Sequence, residues 1–442
     1  MLNKTYQNLN KIFISTLLIF FICLDILANS GDEIKSRIQK ELNRVPSGTN
    51  YGIMIYNPLT SDTLISFNHT RSMIPASITK LFTTAAALDI MGGSYTFSTQ
   101  ILVDDKNFSD GISNGNIYVK GYGNSLFTDD ELGKLADSLS KCGVKTITGN
   151  VIGDDSFFDN IYTRDDWIKD ENANVTLPPV SALVLDKNKT VVTKKRRGRY
   201  RNYLVNITNP PLNAAKKLKE KFEQSGITVI GEPKSDITPA DASLFAESKV
   251  ELREIIKPIN KNSDNFLAEC LFKSIGAVAT GKQGNSLYST QAILTYIKEN
   301  GIFSEGTAVV DGSGISRFDQ VTIGAIIGVL EKMYFDLDNY EDFLNSMSIA
   351  GVDGTLDSRF RNTKAFNNFR GKTGTLNGVS SLSGYLTTED GDDYIVAMIF
   401  EFKRGGANTF RNIQDNIIEI LSEWKNESPD TFEYQGSLEF EN

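Results

Sequence analysis

Ile74-Pro75-Ala76-Ser77-Ile78-Thr79-Lys80-Leu81-Phe82-Thr83-Thr84-Ala85-Ala86-Ala87-Leu88-Asp89-Ile90-Met91 is the stretch on which the reading of this chain turns. Pro75 stands where a first helical turn tolerates proline, and the run from about Ala76 to Met91 reads as a helix. Ser77 then lies at the helix start, where unpaired backbone N–H groups and the helix dipole favour developing negative charge. Lys80 follows one turn on, and the i,i+3 spacing sets both side chains on one face. Ile78, Leu81 and Phe82 would desolvate the ammonium and lower its pKa, and a lysine that is neutral part of the time can take a serine proton. The chain has a single histidine, His69, in the polar stretch Asn68-His69-Thr70, which reads as surface loop. A two-histidine metal site is excluded, and a serine nucleophile here needs the lysine as its base.

Upstream of this helix, Tyr51-Gly-Ile-Met-Ile-Tyr56 and Thr63-Leu-Ile-Ser-Phe67 flank the turn signal Asn57-Pro58 and read as a hairpin. From 96 to 245 short strand-like runs (Asn116–Lys120, Tyr203–Ile207) alternate with Gly, Asn and Asp turns, which predicts a β-rich unit. Helical texture returns at Val250–Lys257, Ser263–Ile275 and Ser286–Asn300. Strands reappear at Ser380–Leu386 and Tyr394–Phe400, and a last helix runs from about Asn408 to Trp424. Strands at both ends with helices between predict one α/β (α+β) domain, residues 31–95 and 246–425, interrupted by an insertion of one or more β-rich domains over 96–245. Residues 426–442 are acidic, with no basic residue, and read as a disordered tail.

Two further motifs follow in order, Ser263-Asp264-Asn265 opening a helix and Lys372-Thr373-Gly374 on a strand. Any one of the three is common by chance. Gly371-Lys372-Thr373 even mimics part of a phosphate loop, but that loop needs glycine where Phe366 stands. Together, in this order, they are the set shared by class A β-lactamases and penicillin-binding proteins. Ser263 and Asn265 are expected on one wall of a cleft, with Lys372 and Thr373 on the other. That arrangement suits a peptide ending in a carboxylate. Lys372 and Thr373 hold the carboxylate, Asn265 bonds the substrate amide, and the N–H groups of Ser77 and Thr375 form an oxyanion hole. Ser263 relays a proton to the leaving amine. Ser77, Lys80, Ser263, Asn265 and Lys372 are the candidate catalytic residues; Thr373, Gly374 and Thr375 are candidate substrate-binding residues.

At these motifs the chain resembles the class C, low-molecular-mass penicillin-binding proteins of the DacB type, D-alanyl-D-alanine carboxypeptidases and endopeptidases of cell-wall maintenance. The resemblance extends through Asn209-Pro-Pro-Leu-Asn-Ala-Ala215, Asp311-Gly-Ser-Gly-Ile-Ser-Arg317 and Gly351-Val-Asp-Gly-Thr-Leu356. It implies a penicillin-recognising transpeptidase/β-lactamase-like domain with a large insertion between the first two motifs. It also implies peptidoglycan peptide stems as substrate and β-lactams as covalent inhibitors. Asp154 and Phe158 align loosely with family positions that approach the substrate side chain; a strand end and a core aromatic are the alternative. Gly121-Tyr-Gly-Asn-Ser-Leu126 departs from the family, with Asn124 and Ser125 where an Asp-Pro pair is usual.

Lys4 and Lys11 followed by apolar Ile12–Leu24 read as a signal peptide cut just before Gly31, the apolar run being shorter than the roughly 20 residues of a bilayer span; an uncleaved anchor is the alternative, which Asp25 disfavours. The expected mature protein is periplasmic or otherwise exported, with no transmembrane span. A formal net charge of −9 argues against nucleic-acid binding. No cofactor or metal is called for. Cys142 and Cys270 read as two buried thiols more simply than as a bridge. Two rival functions stand beside the peptidase. A β-lactamase needs a carboxylate for deacylation, which Glu341-Asp-Phe-Leu-Asn345 mimics on a predicted helix surface. A non-catalytic cell-wall binding protein usually loses one motif residue, and here all five are intact. The basic run Lys194-Lys-Arg-Arg197 with Arg199 and Arg201 reads as a solvated hairpin, or as a contact for an anionic envelope polymer.

Overall fold

The computed structural model describes residues 31–167, 177–196 and 198–425; residues 1–30, expected as a signal peptide, residues 168–176, Arg197 and the acidic stretch 426–442 lie outside the described residues. Six antiparallel strands form the central sheet, in the order Ser348–Ile349, Arg370–Leu376, Val379–Thr387, Asp393–Glu401, Asn50–Tyr56 and Thr63–Phe67. The strand carrying Tyr394–Phe400 is apolar at every position because both faces of the sheet are covered. Ile395, Ala397 and Ile399 face the helical core around Phe82, Phe272 and Leu330. Val396, Met398 and Phe400 face the opposite core, built with Ile34 and Ile38 of the helix over 31–42 and Phe410, Ile413 and Ile417 of the C-terminal helix Ala407–Ser422. Chain ends thus build one outer layer, and the middle of the chain builds the other.

The helix Thr79–Met91 runs inside this second layer, with Thr79 to Leu88 all buried. A helix apolar all round belongs in a core, and Lys80 is carried into the interior with it. Helices Leu252–Lys261, Asn265–Thr280 and Ile323–Tyr334 pack around it.

The segment from 96 to 251 forms a second body around a five-stranded mixed sheet, in the order Pro233–Ser235, Val151–Asp154, Ile117–Gly121, Thr96–Val103 and Ser243–Glu251. Strands dominate this segment as expected, and two long helices that the sequence reading did not place cover the sheet. Asp129–Lys141 starts at a capping box between Thr128 and Glu131, and Pro210–Gln224 starts at Asn209, whose side chain accepts from Leu212 N–H at 3.0 Å. Leu132, Leu135, Leu139, Leu218 and Phe222 from these helices meet Ile101, Val119 and Val151 of the sheet. The closing strand runs through the expected boundary at 245 to Glu251, so the following helix starts at Leu252 instead of Val250. A two-stranded ladder, Lys189–Arg196 with Arg199–Asn206, pairs with no other described strand.

Cys142 is exposed and Cys270 buried, both as free thiols, which corrects the expectation of two buried ones. Among the described residues no helix is long and apolar enough to cross a membrane, and no cluster of metal-ligating side chains occurs.

Candidate active site

Ser77 sits in a single turn, Ala76–Ile78, that leads into the buried helix. Ala76 holds φ +52°, a costly value for a residue with a Cβ, and the neighbours of this turn explain how it is held. The Pro75 carbonyl accepts from Ser381 Oγ at 2.8 Å. Gly374, on the third-motif strand, packs so closely that an added Cβ would lie 2.1 Å from Ser381 Oγ, 2.8 Å from the Pro75 carbonyl oxygen and 3.2 Å from Ser77 N. Gly314 would meet the Ala76 carbonyl oxygen at 1.9 Å. Two glycines on two different segments therefore let backbone close around the serine.

Lys80 Nζ donates to Ser77 Oγ at 3.0 Å, to Asn265 Oδ1 at 2.7 Å and to the Ser313 carbonyl at 2.6 Å. Burial pushes its pKa down to about 8, against the opposing pull of Asp311, Glu269, Asp264 and Asp319. Asn265 is the first residue of the helix Asn265–Thr280, and Asp264 caps that helix by accepting from Leu267 N–H at 3.0 Å. Ser263, at φ +56°, turns the chain so that its Oγ meets Lys372 Nζ at 2.9 Å. Lys372 is fully buried, and burial together with the charge of Lys80 pushes it well below its ordinary pKa. Thr373 Oγ1 donates to Thr355 Oγ1 at 2.8 Å. The three motifs, far apart in sequence, thus converge on one cleft of about 500 Å³, lined by Ser77, Ser263, Asn265, Thr373, Gly374 and Thr375 and continuing to Thr355, Ser358, Arg359, Arg411 and Gln414.

Beneath Lys80 lies a layer that motif reading alone does not assign. The Asp311 carboxylate accepts from the N–H groups of Ser313 (3.1 Å), Gly314 (2.6 Å) and Ser316 (2.8 Å), which fixes the loop that presents the Ser313 carbonyl to Lys80. Asp319 accepts from Val310 N–H at 2.7 Å, and Glu269 accepts from Gly312 N–H at 3.1 Å. Burial and the neighbouring Asp311 raise Glu269 to about 8 and push Asp319 well above the carboxylate range. The inserted body reaches the same loop, since Arg164 donates to the Val310 carbonyl at 2.5 Å and Ser316 Oγ donates to Asp166 at 2.8 Å. Asp311-Gly-Ser-Gly-Ile-Ser-Arg317 is visible in the sequence as a segment, but its bracing role needs the fold.

A model of the D-Ala-D-Ala carboxypeptidase 3 (S13) family matches residues 34–201 and 195–424. The chain belongs to this family. It is 26% identical over 412 residues to a D-alanyl-D-alanine carboxypeptidase of Actinomadura sp. (strain R39), covering 77% of this chain and 76% of that one. It is 25% identical over 407 residues to the D-alanyl-D-alanine carboxypeptidase DacB of Haemophilus influenzae, covering 79% and 85%. The fold matches the crystal structure of penicillin binding protein 4 (dacB) from Haemophilus influenzae with a TM-score of 0.76 at 22% identity, over 88% of this chain and 99% of that one. The α/β penicillin-recognising architecture read from the sequence is therefore the architecture found.

Asp154 and Phe158 do not join this S13 cleft. Asp154 is buried at a strand end of the inserted sheet, where it accepts from the N–H groups of Ser156 and Thr238 at 2.8 Å each and pairs with Lys120 at 3.1 Å. Burial raises its pKa, but these hydrogen bonds outweigh it and hold the carboxyl below its usual range. Phe158 is buried, with Lys273 Nζ 5.9 Å from its ring centre. Both are the strand end and the core aromatic of the alternative reading. Glu341 stands exposed on the helix Tyr340–Ser346, away from the cleft lining. His69 is exposed too, with Nδ1 2.9 Å from Ser66 Oγ.

Proposed function

We propose that this protein cleaves the amide bond after D-alanine in peptidoglycan peptide stems, as a carboxypeptidase, an endopeptidase or both, through an acyl-enzyme on Ser77, and that it is exported after removal of residues 1–30. The observation that carries the reading is the pair of contacts Lys80–Ser77 at 3.0 Å and Lys80–Asn265 at 2.7 Å around a desolvated lysine. In this reading the neutral amine of Lys80 takes the Ser77 proton as Oγ attacks the D-alanyl carbonyl carbon. The resulting oxyanion lies against the N–H groups of Ser77 and Thr375. Asn265 Nδ2 holds the substrate amide, since its Oδ1 is engaged by Lys80. The substrate carboxylate docks on Lys372 and Thr373, where it supplies the negative charge that the buried Lys372 lacks. Ser263, bonded to Lys372, relays to the departing amine the proton that Lys80 took from Ser77, which leaves Lys80 neutral again; water then hydrolyses the ester, restoring the Ser77 hydroxyl.

The purified protein is expected to release D-alanine from a peptide ending in D-Ala-D-Ala and to form a lasting adduct with a fluorescent penicillin. Rapid steady-state hydrolysis of penicillin would point to a β-lactamase instead. Absence of both peptide turnover and labelling would leave a binding protein.

The closeness of Gly374 to Ser77 N gives a second test. Gly374→Val is expected to lower kcat about 100-fold by displacing an oxyanion donor, with the far-ultraviolet circular dichroism unchanged. Full activity in that variant would remove Ser77 N–H from the mechanism.

A further inference from the structure

The ladder Lys189–Arg196/Arg199–Asn206 is eight residues a side, so its tip stands roughly 25 Å from its root. Lys194, Lys195, Arg196, Arg199 and Arg201 crowd that tip, and none of them has a carboxylate partner among the described residues. The whole chain carries −9, so these charges stand out from a body more acidic still. Their register also places apolar groups on one side. Val191 faces Leu204 and Lys195 faces Tyr200, with Val191, Leu204 and Tyr200 exposed at 59%, 64% and 72%. A two-stranded ladder in water gains little from exposing such side chains, so a partner surface is the simplest reason for their placement.

The root says where that surface leads. Asp186, Lys187 and Asn188 all hold positive φ (+48°, +55° and +52°), a strained turn pinned by Asn188 Nδ2 on the Pro179 carbonyl at 2.9 Å and by Leu185 N–H on Asn188 Oδ1 at 3.1 Å. Lys187 Nζ pairs with Asp264 at 2.6 Å, in the middle of the second motif. The ladder therefore springs from the wall of the cleft that holds Ser263 and Asn265.

We propose that this arm is a docking site for the polymeric substrate, gripping neighbouring carboxylate-bearing peptides while one stem occupies the cleft; the inference rests on the functional reading above. Cations on a narrow tip match a polymer whose repeating peptides end in carboxylates, and the exposed Tyr200, with Lys195 Nζ 5.6 Å from its ring centre, adds apolar area beside those cations.

The test uses Ser77→Ala protein, which leaves the polymer intact, sedimented with insoluble peptidoglycan. Combining Lys194→Gln, Lys195→Gln, Arg199→Gln and Arg201→Gln is expected to weaken sedimentation by at least about 30-fold at low salt, and to flatten its salt dependence. In the active background the same four changes lower turnover of the insoluble polymer about tenfold, while kcat/KM for a short D-Ala-D-Ala peptide stays within about twofold. Sedimentation equal to the unmodified arm overturns the proposal. So does tight binding to phosphatidylglycerol vesicles that peptidoglycan fails to compete away, which would make the arm a bilayer contact. If the short peptide is not turned over at all, the functional reading fails, whereas sedimentation still decides the arm.

Discussion

Ser77→Ala is expected to abolish labelling by a fluorescent penicillin and to lower D-alanine release by about 10⁴-fold or more. The variant deletes one oxygen, and in the proposed mechanism that oxygen forms the ester. Its removal leaves Lys80 bonded to Asn265 and to the Ser313 carbonyl, so the cleft keeps its other contacts. The lost Lys80–Ser77 hydrogen bond is worth about 1 kcal/mol, too little to unfold a protein of this size. Loss of activity with an unchanged melting curve therefore reports chemistry and not folding. Any residual rate comes from the oxyanion donors and substrate positioning, which work without the nucleophile. Persistent penicillin labelling of Ser77→Ala would show that another group is acylated, and the assignment would collapse with it.

Local signals in the sequence carried much of this site. A hairpin over 50–67, a helix entered at Pro75, a helix opened by Asp264 and a strand through Lys372 each follow from turn chemistry and apolar periodicity, and each is present. Their convergence is another matter, because no local rule brings residues 77, 263 and 372 together. That step came from the order of three motifs and a family resemblance. The carboxyl layer under Lys80 was missed because Glu269, Asp311 and Asp319 look like ordinary polar residues until the fold removes water from all three. In the inserted body the helices were hidden by averaging. Thr128 with Glu131, followed by Leu132, Leu135 and Leu139, is a capping box with helical spacing, but it sits among many Gly and Asn turns that gave the region its strand-like texture. Asp154 and Phe158 rested on a loose alignment beside an equally weighted alternative, and the fold places Asp154 at a buried strand end of the inserted sheet and Phe158 buried beyond it, bridged to Gly284.

Lys80→Met tests the base directly, and the expected loss in acylation rate is about 10³- to 10⁴-fold. The sign of the pH dependence follows from burial. Lys80 is held at about 8, so its neutral fraction falls about tenfold for each pH unit below that value. The acylation rate of the wild type should thus climb about tenfold from pH 6 to 7, and level off above about 8. Lys80→Met should show a low rate without that climb. Stability offers an independent reading of the same shift. Between about 8 and 10.5 the unfolded lysine binds more proton than the folded one, so this group makes unfolding free energy rise with pH in that window. Lys80→Met should lose that rise, measured by urea unfolding at a series of pH values. A wild-type acylation rate flat from pH 6 to 8 would mean that Lys80 is not the titrating base. A climb with its inflection near 8 still has a second candidate in the carboxyl layer, where Glu269 is also raised to about 8 and lies one loop away, on the Gly312 N–H. Glu269→Gln separates the two: it keeps the hydrogen bond to Gly312, and it shifts the inflection only if the proton that matters is shared with that layer.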